Sequence, residues 1–294
     1  MTEPTPLQLR NDSLSLRVSP QVGGGIASLE WVGRGAGIAL MRGWDDTPDP
    51  NHLACYPLLP WSNRIAHGGF FFRDREVALA RNREDDAWPI HGSGWQREWA
   101  VAHRDDTTLA LTLEESVPAA YSYRALLGYR LDGDTLRVRL RVTNSGDVSL
   151  PFGLGLHPFL PLHGGARLQA PAHSVWHNDG RNPLPVRREV VPDGWDFGKQ
   201  RVLPDGGLNH AFEGWTGKAT VEWPALGLRL HVASDVDRYV LYVPEGGTFF
   251  CFEPVDHPID AVHLPGGPIA NGMTDLAPGA SLERCFAFRA EAMR

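Results

Sequence analysis

The chain has 294 residues, of which 42% are hydrophobic and 21% are charged, and its formal net charge is -7. This composition supports a hydrophobic core and excludes a disordered chain, and it disfavours nucleic-acid binding, which needs clustered Lys and Arg. Three cysteines do not form a disulfide framework. The polar start of the chain predicts no signal peptide and no apolar run predicts a membrane span, so we expect a cytoplasmic protein.

Short segments with a period of two dominate the sequence. In chain order, strands are predicted at residues 14–18, 109–113, 126–131, 136–142, 226–232, 239–243, 249–252 and 282–288. Alternation of apolar and polar residues is typical of a strand with one buried face and one wet face. Between two of these segments, Asp132-Gly133-Asp134 predicts a hairpin turn, because Gly tolerates a positive φ.

The spacing of apolar residues typical of an amphipathic helix is almost absent. Many short strands separated by frequent Gly and Pro predict an all-β sandwich or barrel, and the lack of a short repeat disfavours a propeller. Residues 178–207 are rich in Pro, Gly and charge and are predicted to form a long loop. Strand-like segments resume on both sides of it, so residues 1–294 are predicted to form one domain.

Four polar residues stand out in apolar or Gly-rich surroundings, namely Arg64, His91, His157 and Glu253. The planar guanidinium of an Arg can bind sugar hydroxyls or an anion, and a buried His needs a partner or a function. If residues 249–253 form a strand, Cys251 and Glu253 share one face. Desolvation would raise the pKa of this carboxyl group towards that of a general base. A surface Arg, a structural His and a structural salt bridge remain open alternatives.

Other chemistries have little support in the sequence. The His-Glu-x-x-His and Cys-x-x-Cys motifs are absent, so no metal site is predicted. The Gly-rich phosphate loop and the Gly-x-Ser-x-Gly elbow are absent as well. Glu253 could form a glycosidase pair with an Asp, but no second carboxylate stands out.

Together these segments resemble the aldose 1-epimerase (galactose mutarotase-like) family. The similar segments, in chain order, are Asn63-Arg64-Ile65, His91-Gly92, Gly155-Leu156-His157-Pro158-Phe159, Cys251-Phe252-Glu253-Pro254 and Pro258-Ile259-Asp260-Ala261. The resemblance implies a large twisted antiparallel β-sandwich with an open sugar cleft, without a metal or an organic cofactor. It also implies that Glu253 is the catalytic base and His157 the catalytic acid. The substrate-binding residues that it implies are Arg64, His91, Asn209 and Asn63.

Two departures from the family pattern bear on the substrate. Asn209 stands where the family often has an Asp, and His157 lies in a short Gly-Leu-His-Pro segment rather than the longer form of galactose enzymes. Both indicate a divergent branch, which includes enzymes for anionic sugars such as hexose 6-phosphates and sulfoquinovose. An anionic sugar would need a further basic residue, and Arg64, Arg83 and Arg181 are available.

The predicted function is interconversion of the α and β anomers of a free hexose or hexose derivative. A base removes the proton of the anomeric O1 hydroxyl while an acid protonates the ring oxygen. The alternatives are a mutarotase for an anionic sugar, a non-catalytic carbohydrate-binding protein, and a glycosidase or lyase. The expected partner is a small sugar, and the expected state is a monomer or homodimer. This hypothesis requires His157 and Glu253 to meet in one open groove.

Overall fold

A computed structural model describes residues 5–33, 35, 37–117 and 119–293. The strands are β1 (Leu7–Arg10), β2 (Leu14–Ser19), β3 (Gly25–Trp31), β4 (Ile38–Ala39), β5 (Cys55–Leu58), β6 (Gly69–Phe72), β7 (Arg75–Ala78), β8 (Ala100–Arg104), β9 (Thr108–Ser116), β10 (Ser122–Asp132), β11 (Thr135–Asn144), β12 (Leu150–Phe152), β13 (Gly155–Pro161), β14 (Arg167–Gln169), β15 (Ser174–His177), β16 (Arg187–Val190), β17 (Arg201–Val202), β18 (Leu208–Glu213), β19 (Lys218–Trp223), β20 (Leu228–Ser234), β21 (Arg238–Val243), β22 (Phe249–Val255), β23 (Thr274–Leu276) and β24 (Ser281–Ala292). One short α-helix, α1, spans Gly267–Ala270. Among the described residues, no helix is both long and apolar enough to cross a bilayer.

Two large antiparallel sheets form the fold. The first has the order β1-β2-β3-β5-β13-β22-β21-β18-β15-β16, with β4 paired to β3, and the second has the order β17-β14-β19-β20-β24-β11-β10-β9-β8. Two smaller sheets pair β12 with β23 and β6 with β7. Buried apolar side chains from both large sheets belong to one hydrophobic cluster, as expected for sheets packed face to face. The prediction of a large antiparallel β-sandwich is confirmed.

The hairpin of β10 and β11 shows why the alternating pattern predicts strands correctly. Every second residue of β11 from Leu136 to Val142 is buried, and the Arg residues between them are exposed. Asp132 pairs with Thr135, which leaves a two-residue turn, and Gly133 within it has a φ of 56°. The turn therefore uses the positive φ that the sequence predicts.

Two details of the sequence prediction are wrong. Residues 178–207 are not a continuous loop, because they contain β16 and β17, which pair with β15 and β14 at the edges of the two large sheets. These edge strands are mostly exposed and lack apolar alternation, so period-two analysis does not detect them. The strand predicted to begin at residue 226 begins at Leu228, because Pro224–Leu226 form a 3₁₀ turn.

The centre of the first sheet provides a platform for polar side chains. β5, β13 and β22 lie side by side, and β21 and β18 follow. On β22, Phe250 and Phe252 belong to the main core between the sheets, whereas Cys251 belongs to a second, smaller cluster. Alternation along the strand then places Glu253 on the same face as Cys251, away from the main core.

Candidate active site

A polar cleft of about 370 Å³ lies over the face of the first sheet that carries Cys251 and Glu253. It is lined by all six residues that the sequence singles out as site residues, namely Asn63, Arg64, His91, His157, Asn209 and Glu253. Asn209 is half-buried on β18, opposite Tyr242 of β21. Of the three Arg residues considered for an anion, Arg64 and Arg83 line the cleft, whereas Arg181 is exposed in a loop and is not among the lining residues.

Three other depressions in the described part of the chain have larger volumes than this cleft, and the smallest of them, of about 510 Å³, is lined by Arg10 and Arg104. One of about 720 Å³ lies on the second sheet, where Leu126, Gly128 and Ala287 contribute to a mainly apolar lining. The third, of about 810 Å³, borders the polar cleft and shares Arg42 and Phe249 with it. Among the described residues, none of the three is lined by a carboxylate and an imidazole that pair with each other, so size alone does not identify the site of chemistry.

His157 and Glu253 face each other on the floor of the polar cleft. They lie on the paired strands β13 and β22, and Nε2 of His157 is 3.4 Å from Oε1 of Glu253. The residues are only 7% and 2% exposed, but both line the cleft. The structure thus brings the two side chains into one open groove, as the hypothesis requires.

Burial has opposite effects on the two groups. It raises the pKa of Glu253 to about 8, although Arg64 partly opposes the shift. It lowers the pKa of His157 to about 3. Both shifts favour the neutral form of each group in a low dielectric. Between these values the pair holds one proton, located on the carboxyl group when no ligand is bound.

The pair also retains free hydrogen-bonding capacity. In the described part of the chain, Oε2 of Glu253 and Nδ1 of His157 are buried and have no hydrogen-bond partner. Burying a polar atom without a partner is costly, so such atoms often mark a site that a ligand completes. Here the free carboxyl oxygen belongs to a cleft-lining residue.

Aromatic rings hold the imidazole of His157 in place. Tyr56 and Phe159 both stack against it, with ring centroids 4.6 Å from that of His157 and 5.9 Å from each other. Tyr56 in turn stacks on Trp95 at 5.0 Å. Packing against these two rings restricts rotation of the imidazole and keeps Nε2 directed at Glu253 on the neighbouring strand.

His91 is held in a defined tautomer by the backbone. Its Nδ1 accepts a hydrogen bond from the N–H of Asn63 at 3.0 Å, and burial lowers its pKa well below the usual value. The neutral ring therefore carries its hydrogen on Nε2, where it can donate to a ligand oxygen. The adjacent Gly92 has a φ of +70°, and a Cβ there would lie 1.9 Å from the carbonyl oxygen of Leu59. The His-Gly pair thus depends on the glycine for its close approach.

Arg64 is fixed by two neighbours. Its Nε donates to Oδ2 of Asp86 at 2.9 Å, and Oδ1 of Asn63 accepts from its backbone N–H at 3.0 Å and from Nη1 at 3.2 Å. Asp86 balances the charge of Arg64. Asn63 lines the cleft, but its side-chain contacts orient Arg64.

The turn after Glu253 braces the loop that carries Arg64. Nε2 of His257 accepts from the N–H of Ser62 at 3.1 Å, and Oδ1 of Asp260 accepts from the N–H of Ala66 at 2.9 Å. Sequence reasoning did not assign these positioning contacts. The only feature of the sequence that indicated a role for this turn was the similarity of the segment around Asp260 to the family pattern.

Arg42 is a cleft residue that sequence reasoning missed. Its Cζ lies 3.6 Å from the ring centroid of Phe159 and 4.8 Å from that of Phe249. Its Nη2 donates to the carbonyl oxygens of Asn51 and Leu53 at 2.5 and 2.8 Å. Among the described residues it forms no ion pair, and burial lowers its pKa. The only feature of the sequence that could have pointed to Arg42 was its position directly after the apolar residues Leu40 and Met41.

A buried carboxyl group that faces an imidazole in a polar cleft is an arrangement that can give and take protons. The family model for aldose 1-epimerase matches residues 6–284. The Escherichia coli K12 protein YphB, whose name assigns no function, is 33% identical over 292 residues, which are 96% of this chain and 98% of YphB.

Solved structures agree with this match. A structure from Escherichia coli K12, provisionally named an aldose 1-epimerase, has 33% identity and a TM-score of 0.91, with coverage of 98% of this chain and 99% of that one. A GalM/aldose epimerase homologue from C. elegans has the same fold, with 16% identity, a TM-score of 0.81 and coverage of 99% and 100%. The chain belongs to the aldose 1-epimerase family.

Proposed function

We propose that this protein is an aldose mutarotase in which Glu253 is the base and His157 the acid. The observation that carries the proposal is the 3.4 Å approach of Nε2 of His157 to Oε1 of Glu253 on the floor of an open polar cleft. Mutarotation removes one proton from the sugar and returns one to it. A pair that holds a single proton can perform both transfers without a net change of charge.

The reaction follows from these positions. When the sugar binds, the proton of the pair moves from Glu253 to His157, so that Glu253 is ionised and His157 is protonated. The Glu253 carboxylate then takes the O1 proton, the O1 electrons form the C1=O bond, and the C1–O5 bond breaks as O5 takes the proton from His157. Rotation about C1–C2 presents the other carbonyl face to O5. Ring closure reverses both transfers, so each group returns to its starting state. His91 and Arg64 hold the sugar and polarise O5, and Asn209 binds hydroxyls as both donor and acceptor.

The decisive experiment is an NMR measurement of anomer exchange at equilibrium with neutral, phosphorylated and sulfonated hexoses. A mutarotase accelerates exchange of at least one sugar far above its spontaneous rate. A carbohydrate-binding protein would bind a sugar and leave that rate unchanged. A glycosidase or lyase would release products from oligosaccharides instead.

The pH dependence of exchange should be bell-shaped. Because the pKa of Glu253 is raised to about 8, the pair keeps its one proton until the pH rises past this value and then loses it. Because the pKa of His157 is lowered to about 3, the pair gains a second proton only in strong acid. We therefore expect kcat/KM to fall on both sides of a plateau. A profile that keeps rising well above pH 8 would contradict this assignment.

A second candidate, a mutarotase for an anionic sugar, is favoured by the uncompensated charge of Arg42. Arg64 pairs with Asp86 and Arg83 pairs with Asp85, both at 2.6 Å. Arg42 forms no such pair in the described ranges, and its guanidinium and the imidazole of His157 both pack against the ring of Phe159. Since C6 of a hexose lies two bonds from the ring oxygen, an anionic group on C6 could reach Arg42 while O5 faces His157.

Replacement of Arg42 tests this candidate. Arg42→Met keeps an apolar stem on Phe159 and removes the charge, and a hydrogen bond to a charged group contributes about 1.5–3 kcal/mol. We expect kcat/KM for a hexose 6-phosphate or a 6-sulfonate to fall about 10–100-fold relative to that for glucose. Arg83→Met is the control, because Asp85 already balances its charge. Equal losses for neutral and anionic sugars would rule out anion selection by Arg42.

A further inference from the structure

A thiol lies directly beside the acid–base pair. Cys251 and Glu253 are two residues apart on one face of β22, and His157 is on the neighbouring β13. One ligand atom from each residue, a thiol sulfur, a carboxylate oxygen and an imidazole nitrogen, can be chosen so that all three lie within 4.8 Å of one another. All three residues are buried. The proposed sugar reaction assigns no role to the thiol.

The separation of the imidazole and the carboxylate matches that in a tetrahedral zinc site. Zn²⁺ binds nitrogen and oxygen at about 2.0–2.2 Å and sulfur at about 2.3 Å, so its ligand atoms are roughly 3.3–3.6 Å apart. Nε2 of His157 and Oε1 of Glu253 are already 3.4 Å apart. The sulfur of Cys251 lies within 4.8 Å of the other two ligand atoms, so a shift of its side chain towards them would complete three protein ligands and leave the fourth position free.

The chemistry of the ligands selects the ion. A thiolate and an imidazole favour Zn²⁺ over Mg²⁺ or Ca²⁺, which prefer oxygen ligands. On binding, the thiol and the carboxyl group each release their proton to water, so two negative ligands balance the ion. The second carboxyl oxygen of Glu253 is buried and has no hydrogen-bond partner in the described residues. It would bind the ion directly or accept a hydrogen bond from water bound to the ion.

We propose that His157, Cys251 and Glu253 form a binding site for Zn²⁺ or a similar thiophilic divalent ion. The ion occupies both groups that would exchange protons with the sugar, so its binding inhibits mutarotation. This consequence rests on the proposed function, whereas the binding itself does not. Motif searches miss the site because its ligands come from two strands that are about a hundred residues apart in the chain.

Binding is tested by titration of the full-length protein with Co²⁺. A thiolate ligand produces a sulfur-to-cobalt charge-transfer absorption, which surface His residues do not produce. We expect this absorption in the wild-type protein and its loss in Cys251→Ser and Cys251→Ala. It should persist in Cys55→Ser, a buried control, and in Cys285→Ser, an exposed one. Its absence from the wild-type protein, or its persistence in both Cys251 variants, would overturn the proposal.

Inhibition is tested separately by adding Zn²⁺ to the exchange assay. The wild-type protein should lose activity and recover it when a chelator is added. Cys251→Ser should keep the metal-free rate and need about 10–100-fold more Zn²⁺ for equal inhibition, since even outer-shell partners change metal affinity by this factor. Equal sensitivity of the two proteins would show that Cys251 is not a ligand. A cobalt signal without any exchange activity would preserve the metal site and count against the mutarotase proposal.

Discussion

Glu253→Gln is expected to lower enzyme-catalysed anomer exchange by about 10²–10⁴-fold, the usual contribution of a positioned proton transfer. The amide has nearly the same shape as the carboxyl group and can still bind hydroxyls, but it cannot accept the O1 proton. Sugar affinity should therefore stay close to the wild-type value. Exchange NMR measures the rate, and titration calorimetry measures the affinity.

Glu222→Gln is the matched control for this variant. Glu222 is also a buried carboxylate, but it lies on β19 in the second sheet and pairs with Arg229 at 2.5 Å. Its loss should lower the melting temperature and leave exchange unchanged, because it does not line the cleft. Near-normal turnover by Glu253→Gln would exclude Glu253 as the base.

The fold was predictable because apolar and polar residues alternate along its strands, and this alternation shows which face of each strand is buried. β11 illustrates this, since each apolar side chain of its pattern is buried between the sheets. β16 and β17 were not predictable, because an edge strand with exposed Arg and Glu side chains carries no such alternation. An edge strand forms because a neighbouring strand offers it backbone hydrogen bonds, and the local sequence does not show which strand that neighbour is.

The candidate site was predictable where a single short segment carries the signal. His157 and Glu253 stand out because each is a polar residue in an apolar strand, and a buried polar group is informative. Arg42 was missed because two features single it out, and neither is visible in the local sequence. It packs on the ring of Phe159, more than a hundred residues away in the chain, and it has no acidic partner in the described structure. The Cys251 cluster was missed for the same reason, as its third member lies on another strand.

Long-range pairing also explains how the 3.4 Å approach is maintained. On the β5 side, His157 of β13 is paired with Tyr56. On the other side, β13 pairs with β22 at Gly155 and again from Phe159 onwards, so the backbone is anchored to β22 before and after His157. The bonds from Ser62 to His257 and from Ala66 to Asp260 then fix the Arg64 loop to the turn after β22. The acid, the base and the sugar-binding loop are thus joined in one rigid unit, which favours a preorganised site.

His157→Gln is expected to lower exchange by about 10²–10⁴-fold, because Gln has no acidic proton to give to the ring oxygen. If the two groups act as one unit, the double variant with Glu253→Gln should be scarcely slower than either single variant, as is found for residues that share one catalytic step. Exchange NMR on all three proteins measures this directly.

His210→Gln is the control for the imidazole. His210 is also buried, its pKa is lowered to about 4 mainly by burial, and it lies on β18 outside the cleft lining. This variant should exchange anomers at close to the wild-type rate. If instead the losses of His157→Gln and Glu253→Gln multiplied in the double variant, the two side chains would act in independent steps. The shared-proton mechanism would then fail, because each step would need its own proton donor or acceptor.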